Sequence, residues 1–213
     1  MIKLKSKGVF LSNAIIFSLI IIVFAVSFIP HGTAYIYGGE TVKAIYNGNV
    51  AFKNVSLMFN VYENTEVVNE IIDLLNTREV KATFFVGGCW ADDNGETLNK
   101  IVQSGHELGN HGYFHKAHGK IDYNQNEQEI KLTDVVVKAL CGVKMNLFAP
   151  PSGDYSETTL KVCSALNYKV IMWSKDTIDW RDSNIETIVS RATRNLSNGD
   201  LVQTNSSLHR KAL

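Results

Sequence analysis

The chain has 213 residues, and its 21 lysines and arginines balance its 21 aspartates and glutamates, so the formal net charge is zero. That balance argues against a nucleic-acid-binding protein, because contacts with a phosphate backbone need a basic surface. Cys89, Cys141 and Cys163 stand far apart and form no C-x-x-C pair, which argues against a disulfide framework and a zinc ribbon. The length suits one domain with a short N-terminal segment.

Residues 1–34 have the composition of a membrane anchor. Three lysines in the first seven residues precede an apolar run, Ala14–Ile29, in which two serines are the polar residues. Counted from Val9, the run approaches the ~20 residues that span a bilayer as a helix, and lysines before a span favour a cytoplasmic N-terminus. We expect a single-pass protein of the cell membrane with an extracellular C-terminal domain. A cleaved signal peptide, and thus a secreted protein, is the alternative.

Residues 35–54 are expected to be a linker with one strand near Thr41–Ile45, and residues 55–213 form the predicted domain. Within the domain, short β-branched and aromatic runs alternate with amphipathic helical patterns that several glycines end. In chain order the predicted elements are a strand at 55–59, a helix at 65–80, a strand at 81–87, a helix at 94–105, a strand at 106–112, a helix at 123–142, a strand at 146–153, a helix at 156–167, a strand at 168–174, a helix at 184–199 and a strand at 200–204.

Such alternation predicts an α/β fold in which helices cover a parallel sheet, as an open sheet or a barrel. Functional residues of these folds gather on loops at the C-terminal ends of the strands. Asn60, His111, Pro150, Pro151 and Asp176 follow four different predicted strands. We therefore expect them to meet at one rim.

The segment GHELGNHGYFHKAH, residues 105–118, contains four of the six histidines. His111 and His115 stand four apart and could bind one divalent ion if their rings point the same way. Alone, this spacing more often belongs to two surface or packing histidines, and only its place at the predicted rim makes a metal site an equal alternative. His106 and His118 are interpreted as bystanders.

Four ordered segments resemble motifs of one protein family. They are KATFFVGG at 81–88, GHELGNHGYFH at 105–115, FAPPSGDY at 148–155 and IMWSKDTIDW at 171–180. Their order and spacing resemble the polysaccharide deacetylase family, carbohydrate esterase family four, over most of the predicted domain. The amino acids in these four segments are most similar to those of a sporulation-associated branch of that family.

The resemblance implies a distorted (β/α) barrel and removal of acetyl groups from peptidoglycan, chitin-like oligomers or xylan with a bound divalent metal, for which zinc is our expectation. In the family an Asp and two His hold the metal, which acidifies water and polarises the acetyl carbonyl. A second Asp is the general base, oriented by an Arg, and a late His, tuned by another Asp, protonates the leaving amine. The chain stops soon after the last predicted strand, so we expect the final helix of the family barrel to be missing.

Carried over by position, the paired metal ligands of the family match His111 and His115. MFNVY, residues 58–62, aligns with the family's Thr-Phe-Asp-Asp-Gly, which places Asn60 at the general base and Val61 at the metal Asp. Asn cannot accept a proton at neutral pH, and Val cannot bind a metal. A third metal ligand could come from Asn60, Glu63 or Asp154.

The other matches are either catalytic positions of the family or residues expected to form the walls of its sugar-binding groove. Ala149 stands where the Arg is expected and Asn205 where the late His is expected, whereas Asp176 matches the tuning acid. The expected sugar-binding walls are Pro150, Pro151, Trp173 and Tyr113, while Asp179 and Trp180 are expected to be structural.

Three hypotheses follow. The first is a membrane-anchored, metal-dependent deacetylase of cell-wall polysaccharide. The second is a catalytically inactive relative that uses the same groove to bind glycan or a partner during wall or spore assembly. The third is a truncated, non-functional copy. The substituted base, Arg and His positions favour the second hypothesis over the first on chemical grounds.

Overall fold

The structure is a computed structural model that describes Ser18 and residues 42–206. Apart from Ser18, the predicted anchor lies outside the described residues, as do residues 207–213. The expectation that the final helix of the family barrel is missing also falls outside the described residues and stays a prediction. Of two compact units, Met1–Glu40 and Thr41–Leu213, the second contains the fold described below. None of the helices in the described part combines the length and the apolar composition needed to cross a membrane.

The described domain is built on one parallel sheet of seven strands. In chain order the strands are β1 (Ser56–Val61), β2 (Thr83–Val86), β3 (Glu107–Asn110), β4 (Leu147–Phe148), β5 (Lys169–Val170), β6 (Lys175–Asp176) and β7 (Leu201–Asn205). Their order across the sheet is β5-β4-β3-β2-β1-β7-β6, and each neighbouring pair is parallel. The predicted parallel α/β fold is confirmed.

Helices connect the consecutive strands, as parallel pairing requires, except between β5 and β6, which the short segment 171–174 joins. They are α1 (Thr65–Thr77), α2 (Gly88–Asp93), α3 (Gly95–Gln103), α4 (Tyr123–Cys141), α5 (Glu157–Ala165) and α6 (Ile185–Thr193). The sequence did not predict α2 or the two-residue strand β6, because elements this short have no hydrophobic period to detect. A single 3-10 turn, Pro151–Gly153, follows β4.

Helix α4 illustrates how local sequence sets an element's ends. The Asp122 side chain accepts from the Gln125 backbone N–H, and the Gln125 side chain accepts from the Asp122 N–H, which completes a capping box. At the other end Gly142 adopts φ 71°, a left-handed conformation that glycine adopts without steric cost. The helix therefore begins and ends where its sequence specifies.

Strands β1 and β7 send alternate side chains to opposite faces of the sheet. Phe59 and Val61 join the large apolar cluster that the helices cover, together with Val68 and Ile72 of α1. Met58 faces the other way and packs in a smaller cluster with Leu201 and others. The same period places Asn60, Gln203 and Asn205 on the face opposite the helices, at the C-terminal ends of their strands.

The segment before β1 contacts the domain closely. Ile45 forms a parallel bridge with Ile171, and Asn47 forms an antiparallel bridge with Asp200. The Ile45 N–H donates to the Val170 carbonyl over 2.8 Å. A continuous strand near Thr41–Ile45 does not form, although its last residue does pair. The boundary at residue 54 between linker and domain stays a prediction.

Candidate functional site

A pocket of about 260 Å³ opens at the C-terminal ends of the strands. The residues that line it come from β1, β6 and β7 and from the loops that follow strands. They are Asn60, Tyr62, His111, His115, Ser152, Trp173, Asp176, Trp180, Gln203 and Asn205. The structure thus brings together six residues that sequence reasoning selected, and their individual roles stay predictions. Those six are Asn60, His111, His115, Trp173, Asp176 and Asn205.

Two amides stand side by side at the base of the pocket. The register of β1 with β7 pairs Asn60 with Asn205, and alternation along β7 adds Gln203. Asn60 is almost fully buried, and its Oδ1 atom has no hydrogen-bond partner. Such an unsatisfied buried acceptor costs free energy until a donor reaches it. Asn60 therefore lines the pocket while its Oδ1 atom stays buried and unsatisfied.

His111 is held in one orientation. Its Nδ1 atom lies 2.7 Å from the Ala149 carbonyl oxygen, which can only accept, so Nδ1 carries the hydrogen. The neutral ring therefore keeps its Nε2 lone pair. Burial, followed by the charge of His115, lowers the pKa of His111 to about 3. His111 is consequently neutral at physiological pH, as a ligand-binding imidazole must be.

His115 lies beside His111, with 5.1 Å between the ring centroids and the rings edge to face. Its backbone has φ 55°, in the left-handed region that residues other than glycine seldom adopt. The Tyr62 ring lies 4.3 Å from the His115 ring and 6.3 Å from the His111 ring. Burial lowers the pKa of His115. The predicted histidine pair therefore converges, as part of a three-ring cluster.

Asn205, which stands at the position of the family's late His, is hydrogen-bonded to Asp179. Asp179 is buried and accepts from both the Asn205 backbone N–H and its Nδ2 group, each at 2.9 Å, and from the Thr204 hydroxyl. Asp176 instead accepts from the Ile178 N–H and lines the pocket. Of the two acids, Asp179 is therefore the one that contacts Asn205, and the role of Asp176 as a tuning acid stays a prediction.

The predicted groove walls divide into two groups. Trp173 lines the pocket, and Trp180, expected to be structural, lines it too. Tyr113 does not line it, because its ring packs on Phe114 and its hydroxyl donates to Asp92.

The two prolines support the wall without forming it. Pro150 and Pro151 are buried, and the next residue, Ser152, is the one that reaches the pocket. Ser152 has φ 56°, so the turn after β4 holds a residue in the left-handed region at the pocket wall.

Two substituted positions lie away from the pocket lining. Val61 is fully buried in the apolar cluster under the helices. Ala149 is also fully buried, and its contribution to the site is its carbonyl, which accepts from His111. Neither side chain can bind a ligand or orient a base.

The donor set does not fit a resident zinc ion. Catalytic zinc sites use three protein ligands drawn from His, Cys and carboxylates, and amide oxygens are poor zinc ligands. Here the pocket offers two imidazoles, the amide of Asn60 and the carboxylate of Asp176, but Asp176 does not form a metal-binding group with the two histidines. The suggested ligands Glu63 and Asp154 do not line the pocket. Across the residues that the structure describes, no group of three or more His, Cys, Asp and Glu side chains could hold a metal.

Sequence reasoning did not select Tyr62, Ser152 or Gln203, and it gave Trp180 a structural role. For Gln203 a signal existed, because it lies two residues before Asn205 on one strand and so shares its face. Trp180 stands next to Asp179 in a segment already identified. Tyr62 and Ser152 lie just past strand ends, where turn geometry sets the direction of the side chain.

A parallel sheet covered by helices, with a pocket at the C-terminal ends of its strands, defines an α/β protein of the (β/α) barrel class. Many families share this architecture, so sequence comparison has to identify the family. The profile of the family described as polysaccharide deacetylase matches residues 47–171. The chain belongs to the polysaccharide deacetylase family.

Named relatives support the assignment. The chain is 31% identical to the uncharacterized protein YlxY of Bacillus subtilis, over 75% of this chain and 50% of the relative. It is 30% identical to a peptidoglycan-N-acetylglucosamine deacetylase of Bacillus cereus, over 79% of this chain and 58% of the relative. The chain thus spans about half the length of the curated relatives it matches.

Among solved structures, wild-type BA3943 of Bacillus anthracis, described as a CE4 family pseudoenzyme, superposes with a TM-score of 0.76 and 30% identity. The match covers 79% of this chain and 60% of that one. A mutant of BA3943, described as having restored enzymatic activity, gives a TM-score of 0.75. These likenesses confirm the predicted deacetylase-type (β/α) barrel fold.

Proposed function

We propose that this protein binds the N-acetylated glycan of the bacterial cell wall in its strand-end pocket without hydrolysing it. The observation that carries the proposal is the lining of the pocket, which places the side-chain amides of Asn60, Gln203 and Asn205 together with three aromatic side chains. A side-chain amide can pair with an acetamido group both as donor and as acceptor. Peptidoglycan is the preferred glycan, because relatives are named as peptidoglycan deacetylases.

The remaining lining suits a sugar. Tyr62, Trp173 and Trp180 offer aromatic surface for the apolar face of a sugar ring, and neutral amides and hydroxyls offer hydrogen bonds to its polar groups. Small-molecule sites commonly combine apolar and aromatic walls with a few placed polar groups. Asp176 is the one carboxylate among the residues that line the pocket. The site is therefore nearly uncharged, like the sugar rings it would bind.

A polymer has room to continue beyond this pocket. A wider groove of about 740 Å³ runs along α6 and shares Asp176 with the pocket. Lys175, Arg191 and Arg194 line it beside several hydroxyl groups. An extended glycan with acidic substituents could follow this groove while one acetamido group occupies the pocket.

The absence of turnover is proposed from chemistry. Asn60, at the position of the general base, cannot take a proton from water at neutral pH. Asn205, at the position of the general acid, is a neutral amide that Asp179 already holds. General acid–base catalysis contributes typically 10²–10⁴-fold in rate. Two such losses, with an incomplete metal site, leave no route to a useful rate.

A metal-dependent deacetylase is the second candidate. The observation that favours it is the fixed tautomer of His111, whose Nε2 lone pair stays available beside His115. Under this candidate the protein releases acetate when zinc is supplied.

The single-pass membrane location and the sporulation-associated branch also remain proposals. The lysine-flanked apolar run motivates the first, and the residues of the family motifs motivate the second.

Isothermal titration with chitotetraose and with its fully deacetylated form tests the binding proposal. We expect measurable affinity for chitotetraose and at least a severalfold weaker affinity for the deacetylated sugar. The deacetylated sugar lacks the acetyl group that would occupy the pocket. Asn60→Leu, which removes the acceptor at similar volume, should weaken chitotetraose binding, and the exposed Asn198→Leu should not. Equal binding of the two sugars would contradict the proposal.

A further inference from the structure

Helix α4 holds the histidine-bearing segment from behind through a row of buried polar side chains. Asn126, Glu129 and Thr133 recur at helical spacing on its inner face and are each nearly or fully buried. An apolar face would be expected at these positions of a helix that covers a sheet. This departure from the pattern needs an explanation, and the segment 112–118 supplies it.

Glu129 is the central contact. One carboxylate oxygen, Oε2, accepts from the Tyr113 N–H at 2.9 Å and from the Phe114 N–H at 2.7 Å. The other oxygen, Oε1, lies 3.1 Å from the Lys116 ammonium. Hydrogen bonds to an ionised carboxylate are shorter and stronger than neutral ones. Glu129 therefore binds the residues on both sides of His115 at once.

The backbone of this segment needs such support. His115 has φ 55°, and left-handed residues other than glycine persist where their surroundings impose the conformation. At Gly112, with φ 75°, a Cβ would lie 3.0 Å from His118 Nε2 and 3.4 Å from Glu129 Oε2. The segment thus runs so close to Glu129 that a side chain at position 112 would press on the contact.

Asn126 secures the far end of the same segment. Its Nδ2 group donates to the carbonyls of His118, Ile121 and Asp122, and its Oδ1 lies 2.7 Å from His118 Nδ1. Residues on either side of the segment are therefore fixed to one helix, and His115 projects between the two attachment points. The helix carries no pocket-lining side chain itself.

We infer that Glu129 is the positioning residue of the glycan pocket, acting through the 113–116 backbone to hold His115 against Tyr62. The inference rests on the proposed glycan binding for its ligand readout. It assigns to Glu129 no contact with sugar. Its effect reaches the ligand through the orientation of the His115 ring.

The test compares Glu129→Ala, Glu129→Gln and the control Glu127→Gln by NMR of the His115 ring and by chitotetraose titration. Glu127 lies on the same helix but makes an exposed pair with Lys131, so its loss touches no part of the segment. Because the Tyr62 ring lies 4.3 Å from His115, His115 protons carry a ring-current shift that reports their contact directly.

In Glu129→Ala we expect the His115 signals to move toward unstacked values and chitotetraose affinity per folded molecule to fall about tenfold, equivalent to about 1.4 kcal/mol. Glu129→Gln should restore most of both, because an amide oxygen can still accept from the two N–H groups. Faster hydrogen exchange at Tyr113 and Phe114 should accompany the Ala variant. Glu127→Gln should match the wild type in every readout.

An unchanged His115 ring-current shift in folded Glu129→Ala would overturn the inference. If the Ala variant does not fold, Glu129→Asp takes its place, because its carboxylate is one methylene shorter and withdraws from the Tyr113 and Phe114 N–H groups. An unchanged His115 shift in folded Glu129→Asp, despite faster exchange at Tyr113 and Phe114, would then overturn the inference. Failure of the wild type to bind chitotetraose would refute the proposed function. The ring-current comparison would still decide the role of Glu129.

Discussion

At the scale of single residues, the face of β1 on which a side chain lies decides what it can do. Asn60 faces the pocket, whereas its neighbour Val61 is fully buried among apolar side chains. Alignment of MFNVY with an Asp-Asp pair suggests that a carboxylate at Val61 would complete a metal site. The burial of Val61 in the apolar cluster indicates instead that a carboxylate at this position would destabilise the fold.

Val61→Asp should destabilise the fold by several kcal/mol, because a buried carboxylate without a partner carries a large desolvation cost. Asn60→Asp should be tolerated, because its side chain already reaches the pocket, and should raise zinc affinity by adding a carboxylate beside two imidazoles. Urea unfolding and calorimetric zinc titration of both variants check this. Tight zinc binding by a stable Val61→Asp variant would show that residue 61 can turn toward the histidines.

The buried His111 makes stability depend on pH. Its folded pKa of about 3 lies below its ordinary value of 6.5, so between these values the unfolded chain binds the extra proton. Stability should therefore fall as pH is lowered from about 6.5 toward 3, by at most about 1.4 kcal/mol per pH unit for this group. Burial also lowers the pKa of His118, with the same sign.

Urea unfolding between about pH 7 and pH 4, with a chelator present, measures this dependence. His111→Gln keeps a donor for the Ala149 carbonyl but cannot titrate, so its stability should fall less steeply with acid than that of the wild type. Superimposable pH profiles for the two proteins would show that His111 does not stay neutral in the folded state.

At the scale of elements, helix ends are the features that sequence specifies most directly. The capping box of Asp122 and the glycine at position 142 bound α4. Around Gly142 a Cβ would meet nothing within 4 Å, so conformation alone governs a substitution there. This position isolates the energetic role of a left-handed helix end.

Gly142→Ala should cost about 1 kcal/mol, because φ 71° is strained for any residue with a Cβ. Gly95→Ala is the control, since Gly95 begins α3 with ordinary space around its Cβ, and it should be neutral or slightly stabilising. Chemical denaturation measures both. Equal stabilities of the two variants would contradict the claim that the left-handed conformation at position 142 destabilises an alanine there.

The sequence predicts the long elements and the rim, but not the contacts that depend on the completed fold. Helices α1, α3, α4, α5 and α6 and the main strands follow from hydrophobic period and glycine positions. The contact of Asp179 with Asn205 was not predictable, because it depends on how the chain turns after the two-residue strand β6. Glu129 was equally hidden, because a polar residue on an amphipathic helix is normally interpreted as solvent-facing.

At the scale of the whole molecule, the described part of the family fold brings the residues of one pocket together from distant parts of the chain. The sheet register places two amides side by side, the end of β3 and the segment held by α4 each supply one imidazole, and aromatic side chains form the walls. The proposed alignment leaves the family's carboxylate, guanidinium and late imidazole positions without those groups. The account's central claim is therefore binding without turnover.

Native mass spectrometry of the protein mixed with chitotetraose and zinc tests both halves of that claim in one spectrum. The account predicts a complex whose mass is the sum of the protein and the fully acetylated sugar, with the free sugar unchanged after long incubation. Bound or free sugar lighter by one acetyl group, absent from a protein-free control, would contradict it and establish the protein as a deacetylase.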